Sequence, residues 1–153
     1  MRPHETEQVG LAHGGAFRLL ADASATGGTL GANVLALAEG ADGAAPHHHS
    51  RSAELFYVLG GTAEFFLNGT LTSLEQGGLV VVPPGMPHAF GAAPGVRAEL
   101  LVVLVPGVDR FDYFRALGRI AQGLDSFDSL LPLQERFDVH FLDPSAWRSA
   151  RRG

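Results

Sequence analysis

The chain has 153 residues, of which 46% are hydrophobic and 18% charged, and its formal net charge is -5. This composition is typical of a globular protein with a hydrophobic core of its own, and no apolar run reaches the roughly 20 residues that a membrane-spanning helix needs. Because the sequence contains neither cysteine nor lysine, it excludes disulfides, thiolate metal sites, cysteine nucleophiles and a lysine Schiff base.

The N-terminus has acidic residues early and no apolar run, so no secretory signal is indicated and we expect a cytoplasmic protein. His4 and His13 are expected at the surface. Basic residues cluster at the C-terminus, at Arg148, Arg151 and Arg152. We interpret this cluster as a solvated tail and expect neither a nucleic-acid nor a membrane partner.

Short apolar stretches separated by glycine-rich or proline-rich connectors predict an all-β barrel over about residues 15–106. The predicted strands are Ala16–Leu20, Leu30–Ala38, Leu55–Leu59, Ala63–Leu67, Thr70–Leu74, Leu79–Val82, His88–Ala92 and Ala98–Val105. Asn68-Gly69 predicts a type I′ hairpin turn, because both residues tolerate positive φ. The small residues from Glu39 to Pro46 are predicted to form a loop.

A helix is predicted after Pro106-Gly107, where apolar residues recur at helical spacing with Asp109 as the N-cap and Gly123 as the stop. These apolar residues are Phe111, Phe114, Leu117 and Ile120. Residues 124–153 are predicted to form a short helix and an extended tail across the barrel, anchored by Trp147. We therefore expect residues 1–153 to form a single domain, with the helix and tail in residues 107–153.

The richest cluster of metal-binding side chains lies between Pro46 and Glu54, with His88 much later in the sequence. Residues two apart in an extended segment share a face, so His47 and His49 can point inward together while His48 points out. Glu54 and His88 can complete the set from neighbouring strands. Three imidazoles and one carboxylate suit zinc, iron, manganese, nickel or cobalt better than calcium or magnesium. The alternatives are an exposed histidine loop and a structural His88.

These residues resemble the two motifs of the cupin superfamily. The first motif is matched by His47, His49, Glu54 and Gly61, and the second by Gly77, Pro83, Gly85 and His88. Two positions depart from the pattern, since Ala41 stands where the first motif begins with glycine and Ala92 where the second ends with asparagine. Neither position is a ligand, so the resemblance still implies one divalent metal ion held by His47, His49, Glu54 and His88.

The resemblance implies a double-stranded β-helix of jelly-roll type, with the metal inside one open end. If Glu54 and His88 face inward, then Phe56, Val58 and Phe90 do too, and they would form an apolar sleeve suited to an aromatic substrate. Plain core packing is the alternative, and we favour it for Phe56 and Val58, as for Val80 and Val82.

The resemblance also implies a function, because the segment from Val105 to Pro144 is similar to the tail of small bacterial cupins called quercetinase-like. We therefore expect a metal-dependent oxygenase that acts on an aromatic or enolisable small molecule, with Glu54 as the catalytic proton acceptor. A non-oxidative polyketide-type cyclase or isomerase and a small-molecule-binding cupin without catalysis remain open.

Three further residues are candidates for the pocket. Arg18 and Arg97 could orient an anionic substrate, although a surface role is commoner for arginine. His140 would reach the pocket if the tail covers the barrel mouth, and Tyr57 is expected on the outer face. Exposed sheet edges favour a homodimer.

Overall fold

The computed structural model describes residue 2 and residues 5–152, which form ten strands, three helices and short 3-10 turns. The strands are β1 (Glu7–Gly10), β2 (Ala16–Ala21), β3 (Gly31–Leu37), β4 (Asp42–His48), β5 (Ala53–Leu67), β6 (Thr70–Glu75), β7 (Leu79–Val82), β8 (His88–Ala92), β9 (Ala98–Val105) and β10 (His140–Phe141). The helices are α1 (Phe111–Ala121), α2 (Gln134–Phe137) and α3 (Ser145–Arg152).

Two antiparallel sheets curl around one core and share the long strand β5. The first half of β5 pairs with β7 and β9, and β9 continues through β3 and β2 to β1. The second half pairs with β6 and β8, and β8 continues through β4 to β10. The predicted all-β double-stranded β-helix with a C-terminal helix is confirmed.

Gly61 allows β5 to pass from one sheet into the other. Its φ is +70°, a conformation that costs side-chain-bearing residues free energy, and a Cβ atom added there would lie 1.8 Å from the carbonyl oxygen of Arg97. The register of β5 against β9 shifts between Val58 and Gly60, one residue before this point. The sequence-predicted strands at Leu55–Leu59 and Ala63–Leu67 are therefore two halves of one bent strand.

The interior is filled by the inward-facing side chains of both sheets. Phe56, Val58 and Phe65 on β5 are each at most 1% exposed, and Leu100 on β9 is fully buried. The ring of Phe56 lies 4.9 Å from that of Phe90 and 5.4 Å from that of Phe65. Phe56 and Val58 thus belong to the hydrophobic core, as we expected in preference to a substrate sleeve.

Strand bounds agree best with the prediction where apolar residues alternate or run continuously. β7, β8 and β9 have the predicted limits. The predicted loop from Glu39 to Pro46 is wrong after Ala41, because β4 begins at Asp42 and pairs with β8 despite its small residues. The four-residue strand β1 was not predicted, since Val9 is its one buried side chain.

At the β5–β6 hairpin, Asn68 and Gly69 have φ of 48° and 89°, which confirms the predicted positive-φ turn.

The helix α1 begins and ends near the predicted points but has a different cap. Asp109 accepts a hydrogen bond from the amide of Ser24 instead of capping α1. Asp22, which lies 88 residues before Arg110 in the sequence, caps the helix instead. Its carboxylate accepts hydrogen bonds from the amides of Arg110 and Phe111 at 2.6 and 3.3 Å. Gly123, with φ of +76°, follows the end of the helix as predicted.

The C-terminal segment packs on the barrel through α3. Trp147 is 2% exposed, and its ring lies 5.9 Å from that of Phe66 on β5. The expected solvated tail is wrong for Arg151, whose guanidinium binds Glu64, Asp42 and two backbone carbonyls. Arg148 and Arg152 are exposed.

His13 is exposed, whereas His4 lies outside the described residues. Among the described residues, none of the helices has the length and apolar character needed to cross a membrane.

We expect Gly61→Ala to lower the free energy of unfolding by about 3 kcal/mol or more, because positive φ and a clash with the Arg97 carbonyl both oppose a methyl group there. Urea unfolding measures the effect. Gly10→Ala on β1 is the matched control, since nothing lies within 4 Å of its added Cβ, and it should change stability little. Equal stability of both variants would contradict the role given to Gly61.

Candidate metal centre

Four polar side chains converge inside the barrel, although they come from distant parts of the sequence. His47 lies on β4 and His49 directly follows it, Glu54 is the second residue of β5, and His88 begins β8. The register pairs His47 with His88. One donor atom from each of the four residues lies within 4.8 Å of the others, and all four side chains are buried. The predicted alternation therefore holds for the triplet, with His47 and His49 facing inward and His48 outward.

Each imidazole is oriented by a hydrogen bond from its Nδ1 to a backbone carbonyl. His47 Nδ1 lies 2.7 Å from Ala45 O, His49 Nδ1 2.7 Å from Asp138 O, and His88 Nδ1 2.9 Å from Met86 O. A proton on Nδ1 leaves the Nε2 lone pair directed into the cluster. This backbone fixation of the tautomer is the arrangement usually found around metal-binding histidines.

The carboxylate of Glu54 lies between two of these rings. Its Oε1 is 3.2 Å from His49 Nε2 and 3.1 Å from His88 Nε2. Burial raises the pKa of Glu54, but the neighbouring imidazoles lower it more, and the net effect is a pKa well below the ordinary value. Burial and the other two imidazoles hold the pKa of His47 well below its ordinary value. The cluster therefore offers an ionised carboxylate and a neutral imidazole at neutral pH.

These residues fit a divalent transition metal. Two ligands on opposite sides of such an ion lie about 4.2 Å apart, given metal–nitrogen distances near 2.1 Å, and the spread of the four donor atoms is close to that separation. Nitrogen donors with one carboxylate suit zinc, iron, manganese, nickel or cobalt. His47, His49, Glu54 and His88 could therefore hold one metal ion, and the rest of the fold contributes no competing thiolate.

A buried arginine that the sequence did not reveal lies beside the cluster. Arg110, the residue before α1, is 6% exposed, and its Nη1 lies 3.7 Å from Glu54 Oε2. Its Nε donates to Phe137 O and its Nη2 to Asp138 O, both at 2.8 Å. Nη2 is also 2.8 Å from His49 Nδ1. When His49 carries its proton on Nδ1, both Nδ1 and Arg110 Nη2 are donors, so neither accepts a hydrogen bond from the other. The carbonyl oxygen of Asp138 then accepts a hydrogen bond from each of them.

A pocket of about 160 Å³ opens beside the cluster and is largely apolar. His47, His49, Glu54 and Arg110 line its inner end, while aromatic rings line much of the rest. These rings belong to Phe17, Phe90, Phe114, Phe127, Phe141 and Tyr113. Phe127 and Phe141 come from the C-terminal segment, so the tail covers part of the barrel mouth.

The other candidate residues lie elsewhere. Arg18 forms a long ion pair with Glu99 at 3.9 Å, and Arg97 is exposed on a loop away from the pocket, so neither faces the cluster. His140 pairs with His48 on β4 and contacts Asp138, whereas its neighbour Phe141 lines the pocket. Tyr57 is 40% exposed on the outer face, as expected.

Sequence reasoning missed three polar residues of the pocket wall, namely Asn33, Arg110 and Tyr113. A signal for Asn33 was present, because it is the one polar side chain in the apolar stretch Leu30–Ala38. Arg110 directly precedes α1 and Tyr113 is the third residue of that helix. Burial raises the pKa of Tyr113 to about 12, which keeps its hydroxyl a hydrogen-bond donor.

The family model of the cupin domain matches residues 33–104. Among solved structures, KdgF from a Halomonas species is 24% identical, with a TM-score of 0.61 over 73% of this chain and 94% of that one. The polyketide cyclase RemF from Streptomyces resistomycificus is 21% identical, with a TM-score of 0.57 over 69% of this chain and 78% of that one. The nucleoside dehydratase Pac13 from Streptomyces is 18% identical, with a TM-score of 0.56 over 72% and 84%.

A search of the curated proteins finds no match to the sequence. The three structural likenesses show the fold alone, since their identities are low. Together with the matched family model, they show that this chain carries a cupin domain, in agreement with the resemblance of the two motifs.

Replacement of single histidines in the triplet should separate a metal centre from an exposed histidine loop. We expect His47→Ala and His49→Ala each to weaken zinc or nickel binding at least about a hundredfold, because each removes an inward ligand. His48→Ala is the matched control and should retain the metal, since His48 faces outward. Metal content after dialysis and calorimetric titration measure both effects. Equal losses in all three variants would contradict the arrangement.

Proposed function

We propose that this cupin is a metal-dependent oxygenase that acts on an aromatic or enolisable small molecule. The observation that carries the proposal is the position of the four-residue cluster at the inner end of an apolar, aromatic-lined pocket. A substrate held there by its ring would present an oxygen atom to the cluster. We propose iron, nickel, manganese or cobalt as the metal, held by His47, His49, Glu54 and His88.

The residues of the centre have separate roles in this proposal. A bound divalent metal would supply Lewis acidity and lower the pKa of a coordinated hydroxyl. Glu54 would bind the metal and accept the proton of that hydroxyl through its second oxygen. Its own low pKa makes it a weak base, so this transfer depends on an acidified substrate. Arg110, at 3.7 Å from Glu54, would keep the carboxylate ionised and in place.

Non-oxidative ring closure or isomerisation is the second candidate, and the polar residues in the otherwise apolar pocket wall favour it. Such reactions need a proton acceptor and a proton donor on one substrate, and Glu54 and Tyr113 offer this pair. Two of the similar structures are named as a polyketide cyclase and a nucleoside dehydratase. The third candidate is a small-molecule-binding cupin without turnover, in which the metal orders the pocket only.

Oxygen consumption distinguishes these functions. We expect the iron, nickel, manganese or cobalt form to consume dioxygen with an enolisable aromatic substrate, measured with an oxygen electrode and by product analysis. Glu54→Gln should lower the rate about a hundredfold or more, since a general base contributes that much, and His48→Ala should match the wild type. Oxygen-independent turnover by the zinc form would replace the oxygenase with the second candidate. Tight binding without turnover of any substrate would leave the third.

We propose that two copies associate through the outer face of β5, β7 and β9. Apart from Glu99 on β9, the outward side chains there are largely apolar. They pair across the strands, and Leu79 and Val81 on β7 are 56% and 57% exposed. Tyr57 and Val105 continue the same face at 40% and 45% exposure. Such contiguous apolar surface is typical of an interaction site.

The cytoplasmic location and the absence of a nucleic-acid partner stay predictions.

Sedimentation velocity tests the proposed homodimer. We expect the wild type to sediment as a dimer and Val81→Lys as a monomer, because a lysine there would be buried without a partner. Val96→Lys is the matched control, since Val96 is 37% exposed in the turn between β8 and β9, away from the proposed face. A monomeric wild type would contradict the dimer, as would a Val81→Lys variant that remains dimeric.

A further inference from the structure

Three hydrogen-bond donors line the pocket beside the metal cluster without partners. The side chain of Asn33, the hydroxyl of Tyr113 and Nη1 of Arg110 line the pocket wall. Among the described residues, none of the three makes a hydrogen bond, and Nη1 has only the 3.7 Å ion pair with Glu54. In the part of the chain that the structure describes, His48 Nδ1 is the one fully enclosed side-chain nitrogen or oxygen without a hydrogen-bond partner. The three donors are therefore not fully enclosed, and they reach the pocket space.

Such unpartnered groups are costly in a buried site. Asn33 and Arg110 are only 5% and 6% exposed, and buried polar groups in native proteins almost always have a hydrogen-bond partner. The other two nitrogens of Arg110 bind backbone carbonyls, which fixes the guanidinium and aims Nη1 at the pocket. Ligand oxygens bound in the pocket would satisfy such donors.

The charge of the site also favours an anion. Glu54 is the one carboxylate that lines the pocket, and Asp138 is already bound by the amides of Ser50 and Arg51. A divalent cation together with Arg110 would outweigh these carboxylates and leave the site positive. Buried net charge is unfavourable unless a counter-charge enters with it.

The volume of the pocket limits the size of the ligand. A cavity of about 150 Å³ is enough for benzene, and this pocket has about 160 Å³. The space beside the cluster therefore suits one ring or a short chain with its oxygen substituents. A three-ring or larger compound would exceed this volume.

We infer that the pocket selects a small anionic substrate, of one ring or less, with two neighbouring oxygen functions. One oxygen function binds at the metal cluster, and the second, anionic group binds the donors Arg110 Nη1, the Tyr113 hydroxyl and the Asn33 amide. An ortho-hydroxy or β-oxo carboxylate has this spacing. The inference rests on the proposed function for the metal, and it specifies the substrate class of the same site.

Salicylate is a suitable probe, because its phenolic and carboxylate oxygens are neighbours on one ring. We expect it to bind the zinc-loaded protein in calorimetric titration, and 4-hydroxybenzoate, with the same groups on opposite sides, to bind at least about tenfold more weakly. Tyr113→Phe and Asn33→Leu should each weaken salicylate about tenfold, which is the effect of one hydrogen bond to a charged group. Arg110→Lys should weaken it more.

Tyr57→Phe is the matched control, because it removes the same hydroxyl from the outer face and should bind salicylate like the wild type. Zinc content and thermal unfolding are measured for every variant, so that loss of metal or fold is separated from loss of the donor. Wild-type affinity in both Tyr113→Phe and Asn33→Leu would overturn the inference, as would equal affinity for the two probes. Binding is measured in the zinc form without turnover, so a failure of the oxygenase proposal leaves this result standing.

Discussion

The buried guanidinium of Arg110 is the interaction on which the arrangement of the site depends. Arg110 joins three parts of the chain. Its backbone amide donates a hydrogen bond to Asp22, its side chain donates to the carbonyls of Phe137 and Asp138, and its Nη1 faces Glu54. The carboxylate of Asp138 in turn accepts hydrogen bonds from the amides of Ser50 and Arg51, which directly follow the histidine triplet. An arginine buried to this degree is stable only with such partners. The start of α1, the tail and the ligand turn are therefore fixed together.

The metal cluster could be predicted from the sequence, whereas the pocket wall could not. His47 and His49 obey the two-residue period of an extended segment, and Glu54 and His88 stand at motif positions with few alternatives. Local patterns of this kind also gave the limits of β7, β8 and β9. The alternation carried no information about which arginine faces the site, and the two candidates, Arg18 and Arg97, lie away from it. Arg110 enters the core because carbonyl acceptors about 27 residues later fold back over it.

Contacts between residues far apart in sequence also explain why the predicted cap of α1 and the predicted solvated tail were wrong. Asp109 has the right position for a local cap, but Asp22 offers both carboxylate oxygens to the helix start and leaves Asp109 to bind Ser24. Arg151 looks like part of a solvated tail, yet α3 places it over β5 and β8, where Glu64 and the Ala92 carbonyl accept its hydrogen bonds. In each case a charged residue found a partner that is near in space and far in sequence, so local patterns could not reveal it.

The candidate metal ligands and part of the pocket lining come from different parts of the chain. The ligands belong to the barrel strands and the turns beside them, while Tyr113, Phe127 and Phe141 belong to α1 and the segment that follows the barrel. Substitutions after residue 110 that spare Asp138 can therefore reshape the pocket without changing the four candidate metal ligands. The accepted substrate could therefore change in evolution through substitutions in the C-terminal third alone, as long as Arg110 and its carbonyl partners are kept.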